Sequence, residues 1–462
     1  MPSLGPIAQD DIMNENKKTE GDINDSPARE QWLATEISEG TRELLNKDAR
    51  FFLHQSMSTP CLDVLQGAEG ASFENINGKK YLDFHGNNVH QVGYANPMVV
   101  EALMAQLKTL PFSPRRYTNL PAIDFAEKLA SLAPSDLNRV LLTPNGSSAI
   151  GIALKLARAV TGKYKVVSFW DSFHGASLDA IGVGGEAVFR EYMGPLMPGV
   201  ERIPPPVDYR GIFEDDGDKC LEYLEYVFSK EGDIGAFIAE TVRNTDVQLP
   251  SKRFWKKARK LCTHYGVLLI LDEIPIAMGR TGRMFAFEHY KIEPDILCLG
   301  KGLGGGIFPQ AAIITRDRYN TFADISLGHY THEKSPLGAA AGLATIQYIE
   351  GENLLKKVKS DATYLKSSLK ALQLKYPIIG DVRGRGLLWG LELVRDRNTK
   401  EKATGEAEQI MYQCLKRGLS FKISAGNVIQ LSPALTISRK ELDRALNILD
   451  ESLEAVPIKS GS

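Results

Sequence analysis

The chain has 462 residues, enough for two or three domains, and its 43% hydrophobic and 24% charged residues are typical of ordinary globular proteins. Its 55 lysines and arginines nearly balance its 57 acidic residues, which argues against binding nucleic acid or a membrane surface through bulk charge. No apolar run approaches membrane-spanning length, and the five cysteines lack CxxC spacing, so we expect a cytoplasmic protein without a zinc site, disulfide framework or membrane anchor.

The N-terminal residues suggest a tail, a helix and a hairpin. Residues 1–29 are polar with little to bury, which predicts a mobile tail. Apolar residues at helical spacing predict a helix from Glu30 to about Leu53. Alternating residues at 71–76 and 79–84, joined by Asn77-Gly78, predict a β-hairpin.

Two polar loops follow the hairpin. The first, HGNNVHQVGY at residues 85–94, is either an ordinary connection or part of a site, and we give these readings equal weight. The second, PFSPRRYTN at 111–119, carries Arg115 and Arg116, which could bind a phosphate or phosphonate through bidentate hydrogen bonds. An exposed arginine pair without a ligand is the commoner explanation.

From residue 122 to residue 314, helical patterns alternate with short apolar runs, as in a doubly wound α/β domain. In PNGSSA, Gly146 and Ser147 begin a predicted helix, where free backbone N–H groups can bind a phosphate. Ordinary serine capping is the alternative. Phe173 and His174 follow the predicted strand 165–170 and could cover a flat cofactor ring, while Glu240 ends the buried run 236–239.

Two further apolar runs deliver an acid and a lysine. Residues 267–271 lead to Asp272, and residues 295–299 lead to Lys301 in the glycine-rich sequence GKGLGGG. Their continuous apolar character indicates parallel strands buried on both faces, and ligands bind where such strands end. A lysine and a carboxylate there suggest a pyridoxal phosphate site, with the lysine bound covalently and the carboxylate holding the ring nitrogen. The GxGxxG match would instead suggest a dinucleotide, but no helix pattern follows it.

The motifs PNGSSA, DSFHGAS, LDE, GRTG and CLGKGLGGG, in this order, resemble those of the class III aminotransferases. The resemblance covers nearly everything after the tail. It implies the fold-type I architecture, a large doubly wound domain with a mixed or parallel sheet and a small α+β domain built from both termini. We therefore expect residues 30–100 and 350–462 to form the small domain and residues 101–349 the large, cofactor-binding domain.

The same resemblance implies roles for individual residues. Lys301 would be the covalent, catalytic lysine and Asp272 the partner of the ring nitrogen. Phe173 would stack on the ring, with His174 and Glu240 beside it, and Gly146 and Ser147 would hold the phosphate. Thr331 matches a threonine that in this family reaches the phosphate of the neighbouring subunit. The resemblance thus implies a homodimer with shared active sites.

Departures from the family pattern point away from amino transfer. Gln430 stands where family aminotransferases commonly place an arginine that binds a substrate carboxylate. Losing that charged hydrogen bond would weaken carboxylate binding by about 1.5–3 kcal/mol. Pro275 replaces a glutamine near the cofactor, and Ser148 replaces an acid after the phosphate loop.

The stretches DFHGNNVHQVGY, PFSPRRYTN and WDSFHGASLDAI resemble those of the (R)-1-hydroxy-2-aminoethylphosphonate ammonia-lyases, members of this family that act in phosphonate degradation. The resemblance implies elimination of a hydroxyl group, giving phosphonoacetaldehyde and ammonia without a keto-acid acceptor. Two alternatives remain, an aminotransferase acting on an ω-amine or aminophosphonate and a nicotinamide dehydrogenase. The candidate substrate contacts are Asn87, Asn88, His90, Arg115, Arg116 and Gln430.

Overall fold

A seven-stranded sheet built from residues 137–316 forms the centre of the computed structural model, which describes residues 26–55, 61–213 and 217–457. Most of the predicted tail, residues 1–25, lies outside the described residues. Ser26 caps the first helix, which begins at Pro27, so the end of the predicted tail is helical.

The described residues contain thirteen α-helices and fifteen β-strands. The helices are α1 Pro27–Thr35, α2 Glu39–Phe51, α3 Pro97–Thr109, α4 Leu120–Leu132, α5 Gly146–Thr161, α6 Leu178–Val183, α7 Ala187–Arg190, α8 Asp218–Lys230, α9 Lys252–Tyr265, α10 Pro336–Gly351, α11 Leu354–Lys375, α12 Thr404–Lys416 and α13 Arg439–Ala455. The strands are β1 Leu65–Glu69, β2 Ser72–Asn75, β3 Lys80–Asp83, β4 Leu137–Thr143, β5 Lys165–Phe169, β6 Val200–Ile203, β7 Ile234–Glu240, β8 Leu268–Asp272, β9 Ile296–Leu299, β10 Ala311–Arg316, β11 Ile379–Arg385, β12 Leu388–Leu393, β13 Leu419–Ser420, β14 Lys422–Ser424 and β15 Val428–Leu431.

The central sheet has the strand order β4-β10-β9-β8-β7-β5-β6. Strand β10 is antiparallel to both of its neighbours, whereas the other pairs are parallel. Every residue of β7, β8 and β9 is buried, because helices cover both faces of a parallel sheet. The six mutually parallel strands therefore end at one edge. The predicted mixed, doubly wound α/β fold is confirmed.

Two smaller sheets join distant parts of the chain. In the order β1-β2-β3-β13, Leu419 and Ser420 pair in parallel with Leu82 and Asp83. The other sheet has the order β11-β12-β15-β14. Segments from both ends of the chain thus share a sheet. The exact domain limits stay a prediction, since positions 100 and 349 fall inside α3 and α10.

The predicted helix from Glu30 to Leu53 is two helices. Helix α1 ends at Thr35, and the Ser38 hydroxyl accepts a 3.2 Å bond from the Thr41 backbone N–H to begin α2. Because the apolar spacing continues across this break, a prediction from periodicity alone merged the two helices into one. The hairpin prediction is confirmed, with β2 and β3 antiparallel around the Asn77-Gly78 turn.

No helix within the described ranges is long and apolar enough to cross a membrane. Gly342 in α10 lies against the Phe125 ring of α4, where an added Cβ atom would stand 2.5 Å from ring carbons. The helices therefore approach closely because this position lacks a side chain.

We predict that Gly342→Ala lowers the free energy of unfolding by about 1–3 kcal/mol, because the new methyl group must displace Phe125. Gly351→Ala is the matched control at the end of the same helix, since a Cβ there meets nothing within 4 Å. Thermal unfolding midpoints followed by circular dichroism test the pair. Equal midpoints for both variants would contradict close packing at Gly342.

Candidate active site

The ends of three adjacent parallel strands bring an acid and a lysine to one edge of the central sheet. Asp272 ends β8, and its Cα atom pairs with Glu240 on β7 and with Cys298 on β9. Lys301 begins a short 3-10 turn directly after β9 and has a φ of 46°, a left-handed conformation that is uncommon outside glycine. The two candidate residues therefore follow neighbouring strands.

The Asp272 carboxylate is buried, with 2% of the residue exposed. One oxygen, Oδ2, lies 2.8 Å from His174 Nδ1, and the other accepts a 3.0 Å bond from the Ile274 backbone N–H. These bonds fix the carboxylate plane and hold the His174 ring. Within the described residues, the buried His174 Nε2 atom has no hydrogen-bond partner.

The loop after β5 is tied to the end of β7. The Phe173 backbone N–H donates to Glu240 Oε1 at 3.2 Å, and the Asn244 N–H donates to Glu240 Oε2 at 3.0 Å. Burial raises the pKa of Glu240. The Phe173 ring contacts the Phe189 ring, with centroids 4.6 Å apart. Glu240 thus positions the loop that carries Phe173 and His174.

The predicted phosphate-binding turn lies at the N-terminus of α5. Asn145 caps this helix by accepting a 2.9 Å bond from the Ser148 N–H, which leaves the first N–H groups, at Gly146 and Ser147, without an intrahelical acceptor. A Cβ atom at Gly146 would come within 3.0 Å of Ile274, two residues after Asp272. The anion-binding end of α5 therefore lies against the turn that follows the buried acid.

These features fit pyridoxal phosphate. A buried, oriented carboxylate suits a protonated ring nitrogen, and a helix N-terminus suits a phosphate dianion. Gly300 leaves room for Ile274, since a Cβ atom there would stand 3.2 Å from its Cγ2. The carboxylate can accept a hydrogen bond from the ring nitrogen, and the helix N–H groups can donate to the phosphate.

The loop at residues 85–94 packs on the turn that begins at Lys301. A Cβ atom at Gly302 would collide with the Gln91 side chain, and one at Gly306 would stand 2.9 Å from the Val89 carbonyl oxygen. Asn88 and His90 are buried, while Asn87 is exposed. Sequence reasoning missed Gln91, because its contact with Gly302 joins residues far apart in the chain.

Gln430 lies on β15 and is fully buried. Its Nε2 donates a 3.2 Å bond to Asn244 Oδ1, and Asn244 also binds Glu240 through its backbone. The neutral amide is therefore engaged with the end of β7.

Arg115, Arg116 and Thr331 are exposed on the described chain. The loop with the arginines contacts the segment with Thr331, since the Phe112 and His332 ring centroids lie 5.3 Å apart and Asn119 Nδ2 donates to the Lys334 carbonyl at 3.1 Å. The fold brings the two loops that carry these three exposed residues together, whereas Asp272 is buried.

Sequence reasoning did not identify two buried ionisable residues that hold backbone segments near the site. Glu273 accepts bonds from the Ala286 and Phe287 N–H groups at 2.6 and 2.7 Å, and burial raises its pKa to about 7. Arg280 donates to the Leu387 and Pro433 carbonyls, and burial lowers its pKa to about 9. Their motifs, LDE and GRTG, contain the signal, but only the fold shows which backbone atoms they bind.

The chain matches the family model "Aminotransferase class-III" over residues 54–453. It is 57% identical to an (R)-1-hydroxy-2-aminoethylphosphonate ammonia-lyase of Vibrio splendidus (strain 12B01), covering 95% of each chain. It is 30% identical to an isoleucine 2-epimerase of Lentilactobacillus buchneri, covering 90% of this chain and 95% of the relative. An amine transaminase from an uncultivated Pseudomonas species, solved in its PLP-bound form, superposes with a TM-score of 0.82 at 29% identity over 88% of this chain and 99% of that one.

We predict a pH-dependent destabilisation from Glu273. Its pKa is about 7 in the folded chain against an ordinary value of 4.5, so the folded state retains a proton that the unfolded state loses between these values. Stability should fall as pH rises from about 4.5 to 7, by about 3 kcal/mol relative to Glu273→Gln. Denaturant midpoints at several pH values measure this difference.

Glu454→Gln, an exposed position on α13, is the control for that experiment. It should shift midpoints equally at every pH, because solvent keeps the environment of its side chain similar in the folded and unfolded chains. A Glu273→Gln profile parallel to the wild-type profile would contradict the effect of burial.

Proposed function

This chain belongs to the class III aminotransferase family, and we propose that it is a pyridoxal phosphate-dependent ammonia-lyase of phosphonate catabolism. It would convert (R)-1-hydroxy-2-aminoethylphosphonate to phosphonoacetaldehyde and ammonia. The observation that carries the proposal is the 57% identity to the Vibrio splendidus ammonia-lyase along 95% of both chains.

Different residues at the sheet edge would bind different parts of the cofactor. Lys301 would hold it covalently, Asp272 would keep its ring nitrogen protonated, and the N–H groups of Gly146 and Ser147 would bind its phosphate. Phe173 would cover one face of the ring. When bound, the cofactor supplies an electron sink for the carbon that carries the substrate amine.

Lys301 would also move the proton. Its amine, once released by the substrate amine, would remove a proton from the carbon bearing nitrogen. The hydroxyl on the adjacent carbon would leave as water, and a second water would complete hydrolysis to the aldehyde and ammonia. His174 and Glu240 would keep Asp272 and the Phe173 loop in position during these steps.

Gln430 favours this reaction over amino transfer. Its amide is bonded to Asn244 and carries no charge, so it offers no charged pair to the carboxylate of a keto-acid acceptor. An elimination needs no such acceptor. An aminotransferase acting on an ω-amine or aminophosphonate is the second candidate, supported by the likeness to the PLP-bound amine transaminase.

A homodimer with shared sites is the second part of the proposal. Between residues 98 and 123, eight large apolar or aromatic side chains are at least 38% exposed. They are Met98, Met104, Leu107, Leu110, Phe112, Tyr117, Leu120 and Ile123. Such a concentration of exposed apolar groups is typical of an interaction surface. Thr331, Arg115 and Arg116 lie on the same connected loops, so they would face the active site of the partner.

The third part of the proposal is that the protein is cytoplasmic. All five cysteines lie in the described residues, and none of them forms a disulfide, as expected in a reducing compartment. They are Cys61, Cys220, Cys262, Cys298 and Cys414.

We predict that the purified holoenzyme releases ammonia and phosphonoacetaldehyde from (R)-1-hydroxy-2-aminoethylphosphonate without any keto acid. Lys301→Ala should lose at least about 100-fold in rate, because the covalent and proton-transfer group is removed. A coupled ammonia assay measures both proteins. If the wild type releases no more ammonia than Lys301→Ala and turns over only when pyruvate is added, the aminotransferase would be supported instead.

We predict that Leu120→Asp weakens the dimer. Leu120 is 73% exposed in the single chain, so a carboxylate there is harmless to the monomer but costly in an apolar interface. Light scattering after gel filtration should detect monomers at concentrations where the wild type is dimeric. Leu374→Asp, 87% exposed on α11, is the control and should leave the mass unchanged.

A further inference from the structure

We propose that Gln91 is a positioning residue for Lys301, because it packs against the turn that presents the lysine amine to the cofactor. This inference rests on the role proposed above for Lys301 and identifies a contact that fixes the position of its amine. The contact lies at Gly302, the residue directly after the lysine. Only 1% of Gln91 is exposed, so it acts through the turn and not by touching a substrate.

The Gln91 carboxamide fills the space beside Gly302. A Cβ atom at Gly302 would stand 2.0 Å from Gln91 Oε1, 2.1 Å from Cδ and 2.5 Å from Nε2. All three terminal atoms therefore lie against the backbone of the turn, where a side chain would otherwise project. The turn cannot move toward residue 91 without a collision.

A second contact encloses the turn at Gly300. This residue precedes Lys301, and a Cβ atom there would stand 3.2 Å from Ile274 Cγ2. The residues on both sides of the lysine are thus packed, one against Ile274 and the other against Gln91. Lys301 itself has a φ of 46°, a left-handed conformation that persists only where surrounding contacts enforce it. Gln91 supplies one of those contacts.

The loop that carries Gln91 is itself held in place. The Gln91 carbonyl accepts a 2.8 Å bond from the Leu435 N–H, which ties the loop to the C-terminal segment. The Val89 carbonyl oxygen would lie 2.9 Å from a Cβ atom at Gly306, so the same loop meets the glycine-rich turn at a second point. A fixed loop can therefore hold the turn.

The volume of the Gln91 side chain, and not its polarity, makes this contact. Its buried Oε1 atom has no hydrogen-bond partner within the described residues. An unpaired buried acceptor adds no attraction to the turn, whereas the space it occupies excludes other positions of the backbone. A side chain of similar length without a carbonyl group should therefore support Lys301 equally well, and a short side chain should not.

Loss of this contact would affect the chemistry more than the binding of substrate. The Lys301 amine must reach the proton on the substrate carbon that bears nitrogen. Rates fall by about 100-fold when a reacting group is displaced by about 1 Å. A cavity beside Gly302 would allow the turn to shift by a distance of this order.

Deuterium exchange by the holoenzyme tests the position of the Lys301 amine without the elimination step. The probe is 2-aminoethylphosphonate, which carries the amine and the phosphonate but no hydroxyl group to expel. In deuterium oxide, the holoenzyme should replace hydrogen by deuterium on the carbon that bears nitrogen, because Lys301 removes and returns that proton. Nuclear magnetic resonance measures the exchange rate, and Lys301→Ala gives the baseline.

Two substitutions of Gln91 should separate volume from polarity. Gln91→Ala should lower the exchange rate about 10- to 100-fold, since the turn can shift into the cavity. Gln91→Met should stay within about threefold of the wild type, since it refills that space. Gln31→Ala, the same change at an exposed position on α1, is the control and should match the wild type.

Kinetics with the hydroxyaminophosphonate give a second readout on the same variants. Gln91→Ala should lower kcat about 10- to 100-fold and leave KM within about twofold, because Gln91 does not contact the substrate. Gln91→Met should lower kcat by no more than about threefold.

The absorbance of the bound cofactor gives a readout without catalysis. It changes with pH as the nitrogen that the cofactor shares with Lys301 gains or loses a proton, and the midpoint depends on the surroundings of that nitrogen. In Gln91→Ala the midpoint should shift by about half a pH unit or more, whereas in Gln91→Met it should stay at the wild-type value.

A second substitution tests the contact itself. Gly302→Ala should collide with the carboxamide and slow deuterium exchange, and Gln91→Ala in the same protein removes the colliding atoms. The double variant should therefore exchange faster than Gly302→Ala alone, since residues in contact do not act independently. Losses that multiply in the double variant would contradict the contact.

Four outcomes separate the possibilities. Equal exchange rates and absorbance midpoints in Gln91→Ala and the wild type would overturn this inference and leave the lyase proposal standing. If Gln91→Met is as slow as Gln91→Ala, volume does not position the lysine and the inference is wrong. A wild type without exchange would overturn proton transfer by Lys301 and this inference with it. If the wild type exchanges but releases no ammonia from the hydroxyaminophosphonate, the proposed reaction fails, and a slow Gln91→Ala beside a fast Gln91→Met still supports the positioning role.

Discussion

The hydrogen bond between Asp272 and His174 is the interaction on which the rest of the site depends. A buried carboxylate is costly unless donors compensate its desolvation. The Asp272 carboxylate receives that compensation at both oxygens, from His174 and from the Ile274 backbone. Because β8 supplies the acid and the loop after β5 supplies the histidine, the separation of these strands by β7 must be maintained for the carboxylate to keep its orientation.

Close packing around Ile274 also positions the N-terminus of α5 and the turn at Lys301 relative to Asp272. Its side chain occupies the space that a Cβ atom would need at Gly146 and at Gly300. The helix that would bind a phosphate and the turn that presents Lys301 are thus held at fixed distances from the same residue. The close approach of Ile274, and not the backbone conformation, therefore favours glycine at both positions.

The sequence predicted what depends on local pattern. Continuous apolar runs identified β7, β8 and β9, and the same pattern placed Glu240 and Asp272 at the ends of β7 and β8. Contacts between distant segments could not be predicted in this way. Gln91 against Gly302, and Phe84 between Ser420 and Ser432, depend on how the N-terminal loop packs on the C-terminal strands. The helix break at Ser38 was missed because apolar spacing continued across it.

The neutral residue at position 430 connects β15 to the end of β7. Gln430 donates a hydrogen bond to Asn244, whose backbone N–H donates to Glu240, so the amide supports the end of β7. The proposed elimination needs no arginine for a keto-acid carboxylate at this position, so an amide can support the strand end there without any change to the groups proposed to hold the cofactor.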